Sequence, residues 1–387
     1  MKGVCLTWML FWLSMETNVG SCAGPGSSVM VANPAMVTLL REAKGWNQMQ
    51  LASAAGMSQA YLSRVERSFV SLQGDKLVDV ARALNCPVEL LASEDIVASP
   101  DLLEMYHRRR RSKIPVVAAR KIEAIGQLTQ ITVDGLMGGV DRGPVPWKQG
   151  FDDGRGDPVQ AATALRSAWN VVTGPIQDVH RVLDENEVVV VQRVFDQVDQ
   201  DAFSAWTRGG VPLIVVRRGL STDRLRFTVC HELGHLLLHS GPGPEQEQEA
   251  DRFAAEFLMP AADIAPQLQG LTTGDFDRLL DLKRQWRVSV GALIQRAKTL
   301  ELISDRQFRE FRMKLSRFGW NAVEPIDLAP EHPRLLSDVI THHRKTRDLS
   351  DTEIAAIAQM TPEAFERHYL RRIPPPNGTA TQIQQTG

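Results

Sequence analysis

The stretch "RFTVCHELGHLLLH" (226–239) constrains the fold more than any other part of the chain. It packs three of the nine histidines and one glutamate among apolar residues that fill most of the gaps. A helix built from it is apolar on nearly every side and belongs in a protein interior. His231 and His235 lie four residues apart, so on that helix they share one face and can reach one ion. Two imidazoles buried without partners are costly. A shared cation removes that cost, and so do hydrogen bonds in a packed core.

The metal reading has chemistry behind it. Neutral imidazole suits Zn²⁺ at about 2.0–2.1 Å. Glu232 is offset by one position, stays outside the ligand set, and is placed to act as general base toward water that the ion acidifies. An HExxH arises by chance on the order of once per hundred chains of this length, so its neighbours have to carry the assignment. After "SGPGP" comes an acidic-fronted helix, "EQEQEADRFAAEFLMP" (245–260). Glu247 and Asp251 are four apart on it. Glu247 is the expected third ligand, and Asp251 the carboxylate that orients a ligand histidine through its other ring nitrogen. Glu249 is the alternative ligand, pointing to a different face. His239, one turn beyond His235, reads as packing or support rather than as a fourth ligand. One zinc per chain with an open fourth position is the expectation. The competing reading is a closed site that staples two helices and cuts nothing.

A second module lies far upstream. From residue 34 to 93 apolar residues recur at three- and four-residue steps, the pattern of short amphipathic helices. Asn47 can cap a helix through Gln48, Gln50 and Leu51. "AGM" (55–57) supplies a turn in which Gly56 can take positive φ. Ser58 can then cap a second helix from 59 to about 67, with Leu62 and Val65 inward and Tyr61 bracing it. Gln59, Ala60, Ser63 and Arg64 are left facing out. Glutamine and arginine are the side chains that read adenine and guanine edges bidentately, and Gln48 can reach a phosphate from the first helix. This is the layout of a helix that enters the major groove of double-stranded DNA. Four arginines at 108–111 offer further phosphate contacts.

Composition bounds these readings. A chain of 387 residues with 43% hydrophobic and 23% charged residues has room for two or three ordinary globular domains. A net charge of −2 excludes wholesale coating of nucleic acid but not one local basic face. Four scattered cysteines with no CxxC pair are not a disulfide framework or a thiolate zinc site. The opening "MKGVCLTWMLFWLSM" followed by "NVGSCAGPGSS" has the form of a secretory or lipoprotein signal. Export would carry a DNA-reading module out of the cell. An extension ahead of a start near Met30 or Met36 is therefore the expectation for 1–33, as a disordered segment. A genuine signal would make the protein an exported peptidase. No later segment is apolar enough to span a membrane, and the location expected is cytoplasmic with no membrane partner.

The remaining chain divides by composition. Residues 94–158 read as a basic helical connector with a helix near 116–137 and a Gly/Pro/Asp-rich linker from 138. "EVVVVQRVF" (187–195) and "PLIVV" (212–216) are the strand candidates. Helices dominate from 221 to 368, and 371–387 read as a disordered polar tail. The fold class expected is mainly α with a small β-sheet, α+β, with an all-α N-terminal domain. "LSDTEIAAIAQMTPEAFERHYL" (349–370) has a faint helix-turn-helix pattern, with packing or dimer formation the expected role.

"REAKGWNQMQLASAAGMSQAYLSRVER" resembles the phage-repressor type (Xre/Cro/CI) helix-turn-helix family over 34–93. Ser68 departs from it, standing where the family usually has a glycine. Residues 161–324 resemble the ImmA/IrrE family of metallopeptidases, through "LRSAWNVVTGPI", the HExxH helix, "EQEADRFAAEFLMP", "LKRQWRVSVGALIQRA" and "FGWNAVEP". Cys230, just before the first histidine, is the one oddity and reads as core. The resemblance implies a zincin-like domain at 159–325, with 326–370 a C-terminal helical region. It also implies cleavage of a repressor-type protein, or of the chain itself, in stress or mobile-element control. The regulator would sit on an operator, with a homodimer suiting paired half-sites. The alternative reading is a DNA-binding repressor whose peptidase-like domain is a non-catalytic, metal-stabilised sensor.

Overall fold

The computed structural model describes residues 30–94, 115–141, 145, 147, 156–171, 173–194, 201–239, 243 and 245–370. The signal-like leader, the arginines at 108–111, much of the Gly/Pro linker and the C-terminal tail lie outside these residues. The architecture is α+β, helices around one small mixed sheet.

Five helices build the N-terminal module: α1 (Pro34–Ala43), α2 (Gln48–Ala54), α3 (Gln59–Glu66), α4 (Asp75–Leu84) and α5 (Val88–Ala92). Their caps are those the local sequence dictates. Asn47 and Gln50 form a reciprocal capping box on α2, and the Ser58 side chain accepts from the Tyr61 N–H on α3. Gly56 sits at φ 65° in the turn between them. Leu51, Leu62, Val65, Val80 and Leu91 form one dry core with their neighbours.

Helix α6 (Val116–Met137) is long and belongs to two cores at once. Ala124 and Ile131 close the core of the N-terminal module. Ile122, Val133, Leu136 and Met137 pack instead beneath the sheet. Asp134 on α6 accepts hydrogen bonds from Thr207 Oγ1 and the Gly209 N–H, which pins the tip of a hairpin.

After α7 (Pro158–Ala168) and α8 (Val179–Glu185) come β1 (Val189–Arg193), β2 (Ala202–Trp206) and β3 (Pro212–Arg217). The order is β1-β3-β2, with β1 parallel and β2 antiparallel to β3. Both faces are covered, which is why β1 and β3 are almost continuous runs of β-branched residues. Side chains alternate. Val189, Val191, Phe203, Leu213 and Val215 face one core, and Val190, Ala202, Ile214 and Val216 the other.

The second face carries α9 (Thr222–Leu238) and α10 (Gln246–Leu258), then α11 (Ala261–Leu268), α12 (Phe276–Trp286), α13 (Val290–Thr299) and α14 (Asp305–Arg317). Buried charges clamp these elements together. Arg226 on α9 pairs with Glu331, which also accepts from the Val179 N–H at 2.7 Å and from Arg287 at 3.1 Å. Lys283 on α12 lies 2.6 Å from both Asp223 and Glu324. The opposite face of the sheet is closed by α15 (Leu335–Thr346), α16 (Asp351–Ile357) and α17 (Pro362–Phe365), which ends in a π-helical turn over Glu366–Leu370. The helix-turn-helix-like text at 349–370 thus packs on α6 and the sheet. Val339, Ile340, Ile354 and Phe365 are in that core.

Candidate functional site

Helix α9 is buried along most of its length, as its apolar sequence demands, and Gly234 lets α10 come close. A Cβ there would lie 3.0 Å from the Phe253 ring and 3.3 Å from the Ala250 Cα. The close approach brings the N-terminal turn of α10 over the two histidines. Their Nε2 atoms face one another at 3.0 Å. Glu247 reaches both: its carboxylate oxygens lie 3.7 Å from His231 Nε2 and 3.5 Å from His235 Nε2. Among the described residues these three are the one group that could hold an ion, with donor atoms all within 4.8 Å of one another.

The outward-turned ring nitrogens are both held. His231 Nδ1 lies 2.7 Å from Asp251. His235 Nδ1 lies 2.8 Å from His239 Nδ1, and His239 Nε2 lies 3.0 Å from Glu249. One tautomer chain satisfies the contacts of the outward-turned nitrogens. The Glu249 carboxylate accepts from His239 Nε2–H, so His239 Nδ1 carries the lone pair that accepts from His235 Nδ1–H. Asp251 does the same for His231 directly. Both histidines then keep a lone pair on Nε2, on the side where Glu247 sits. Glu249 is turned to His239 and not to the His231–His235 pair.

Glu232 is 4% exposed and stands beside this cluster without joining it. Its Oε2 accepts from Ser204 Oγ at 2.8 Å, which leaves Oε1 as the oxygen that can take a proton. Ser204 was not legible in the sequence. It lies on β2, a strand whose "AFSAW" lacks the β-branched run that marks β1 and β3. Once β2 is known, strand alternation puts Ser204 on the same face as Ala202, toward α9. Trp206 Nε1 also donates to the Leu236 carbonyl at 3.1 Å, tying that strand to the helix.

Cys230 is fully buried in the core behind the histidines, and burial pushes its thiol up to about 12. It is packing, not a ligand.

On the N-terminal module, Leu62 and Val65 point inward while Gln59, Ala60 and Arg64 are exposed and Ser63 is half-buried. Ser58 is committed as the cap of α3. Gln48 is tied from both sides: Gln59 Nε2 donates to its Oε1 at 2.8 Å, and its own Nε2 donates to Glu66 at 2.8 Å. Glu66 is held in turn by Arg41 at 2.6 Å. A relay of four side chains thereby fixes the aim of Gln59 at the start of the exposed face.

Two family models match the chain. One, described as helix-turn-helix, covers residues 38–91. The other, described as IrrE N-terminal-like domain, is a metallopeptidase family and covers residues 183–298. The chain joins a helix-turn-helix domain to an IrrE N-terminal-like domain. The second match contains β1 to β3, α9 and α10, and with them Ser204, the histidines, Glu232, Glu247 and Asp251. No curated protein matches the chain.

Proposed function

We propose that the protein is a DNA-binding transcriptional regulator whose IrrE N-terminal-like domain is a zinc endopeptidase. The observation that carries the peptidase half is the convergence of His231, His235 and Glu247 beside a glutamate that is kept out of the ligand set. The residues fit a zinc ion: two imidazole nitrogens with oriented lone pairs and one carboxylate. When bound, zinc supplies Lewis acidity, which makes water a better acid and a carbonyl a better electrophile.

The chain's own residues supply the rest. Asp251 holds His231, and His239 with Glu249 holds His235, so neither ring turns away. Ser204 fixes Glu232 through one oxygen, and the other accepts a proton and returns it to the leaving amine. The substrate class is a polypeptide, with a repressor-type protein or the chain itself as target. The extent proposed is 34–93 for DNA reading and 159–325 for the peptidase, with 94–158 as connector and 326–370 as a C-terminal buttress. A cytoplasmic location and one zinc per chain belong to the same reading.

The test has two arms. Glu232→Gln retains metal and loses cleavage of a repressor-type substrate. Arg64→Ala, assayed on duplexes enriched from a random pool by the wild-type chain, loses about tenfold or more in affinity, as expected for a base-reading arginine. Cleavage that persists in Glu232→Gln would refute the catalytic role. DNA affinity untouched by Arg64→Ala would refute the α3 assignment.

A further inference from the structure

A deep groove of 2440 Å³ runs from His231 and Asp251 past Arg224 and the 217–220 turn to Arg334 and His368. Its far end is formed where the parallel strands β1 and β3 finish, the position at which open parallel sheets collect ligands. Arg193 and Arg217 are register partners there, and the Arg218 N–H donates to the Arg193 carbonyl at 2.8 Å. Arg217 is neutralised by Asp201 at 2.7 Å, and Arg224 pairs with the same carboxylate. Among the described residues Arg193 and Arg218 have no such partner. Both are half-buried, and no carboxylate among the described residues pairs with either.

The π-helical turn adds to the excess. Arg193 donates to Tyr369 Oη at 2.6 Å and lies 5.3 Å from the centre of that ring, and His368 lines the same end of the groove. The crowding registers in the titration of these groups. Burial and then the charge of Arg193 pull Arg218 below the ordinary guanidinium range. His368 keeps solvent on one side but is pushed down to about 4 by partial burial and by Arg193, Arg367 and Arg218. Desolvated like charges without a counter-ion destabilise the fold and recur where a ligand supplies the missing charge.

We propose that Arg218, with Arg193 behind it, forms a carboxylate-binding subsite at one end of the groove, which takes an acidic side chain of the polypeptide substrate remote from the bond that is cut. The groove also carries Asp201, Asp327 and Asp338. A duplex, with a phosphate at every step, would meet these carboxylates. An extended polypeptide can place one acidic residue at the cationic end and neutral ones elsewhere. The subsite rests on the peptidase reading for its biological meaning, but its binding chemistry stands apart from cleavage.

The experiment uses the full chain carrying Glu232→Gln, so that nothing is cut, and a fluorescein-labelled hexaglutamate peptide read by anisotropy. The hexaglutamine peptide is the neutral control. Arg218 makes no side-chain hydrogen bond among the described contacts, so Arg218→Gln is the clean variant. The Arg193→Gln/Arg218→Gln double variant follows, with Arg193→Lys as the charge-keeping check on folding. Hexaglutamate is expected to bind in preference to hexaglutamine and to lose about tenfold with Arg218→Gln, more with the double variant. Arg193→Lys is expected to keep most of the affinity. Equal binding of the two peptides, or hexaglutamate affinity unchanged in the double variant, would overturn the subsite. So would a matching loss of duplex-DNA affinity in the double variant, which would assign the arginines to nucleic acid. Hexaglutamate binding that is lost in the double variant, in a protein whose wild-type Glu232 form cuts nothing, would leave the subsite standing and sink only the peptidase reading.

Discussion

At the residue scale, the sequence shows the candidate donors and one candidate support, Asp251, but not the others. His231, His235 and Glu232 are legible because helical spacing alone decides which face they share. Glu247 and Asp251 are legible because they are four apart on the next acidic helix. Asp251 lies 2.7 Å from His231 Nδ1. The reach of His239 and Glu249 was not legible, since the contact between them crosses from α9 to α10. The two carboxylates of α10 therefore make different demands. Glu247→Ala should abolish stoichiometric zinc. Glu249→Gln should leave one zinc per chain but weaken its binding by about 10–100-fold, as loss of a residue that orients a ligand does; competition with a chelator measures it. Complete loss of zinc from Glu249→Gln would make Glu249 a ligand and the relay wrong. A second residue-scale expectation concerns Ser68, which stands at φ 63° just after α3. The left-handed region is uphill for any side chain bearing a Cβ. Ser68→Gly should stabilise the chain by about 0.5–1 kcal/mol, a rise of about 1–3 °C in thermal unfolding, with DNA affinity unchanged. A fall in Tm would mean that the Ser68 side chain contributes more than its backbone costs.

Among elements, the helices were mostly legible. The helix at 116–137 was found from its periodicity with the bounds that the structure gives, and the helix-turn-helix was found because caps and a glycine turn mark it locally. β2 was the miss. Phe203 and Trp206 favour strands but Ala202, Ser204 and Ala205 do not, and no β-branched run marks "AFSAW" as a strand before it pairs with β3. That miss also hid Ser204. Nor does periodicity reveal that α6 divides its two faces between different cores. The close approach that results is testable. A Cβ on Gly135 of α6 would collide with the Ile357 carbonyl oxygen on α16. That atom is backbone and cannot swing away, so Gly135→Ala should destabilise by about 1–3 kcal/mol despite alanine's better helix propensity. Urea unfolding of the full chain reads it, and an unchanged midpoint would mean that α16 does not seat on α6 in this way.

For the whole molecule, one buried histidine gives a pH signature. His180 on α8 is 1% exposed, and among the described residues neither ring nitrogen has a hydrogen-bond partner. Burial, helped by His332 and Arg226 against the opposing pull of Asp178, pushes its pKa down to about 4, whereas an unfolded histidine titrates near 6.5. Between those values the unfolded chain binds a proton that the folded chain refuses. Stability is therefore whole above pH 6.5 and declines as the pH falls toward 4, by up to about 3 kcal/mol from this group. His180→Leu should flatten that slope in urea titrations at pH 7 and pH 5, and an unaltered slope would place the pH dependence elsewhere.

Helix α6 packs against the N-terminal helices on one face and the sheet on the other, so the proposed DNA-reading and peptide-cutting functions would share one element. Everything in that account depends on the centre holding an ion. Elemental analysis of the purified, zinc-replete chain tests it most directly, with Glu232→Gln and Glu247→Ala beside the wild type. About one zinc per chain is expected in the wild type and in Glu232→Gln, and none in Glu247→Ala. Absence of bound metal in the wild type, or equal zinc in Glu247→Ala, would contradict the assignment of His231, His235 and Glu247 as the ligands.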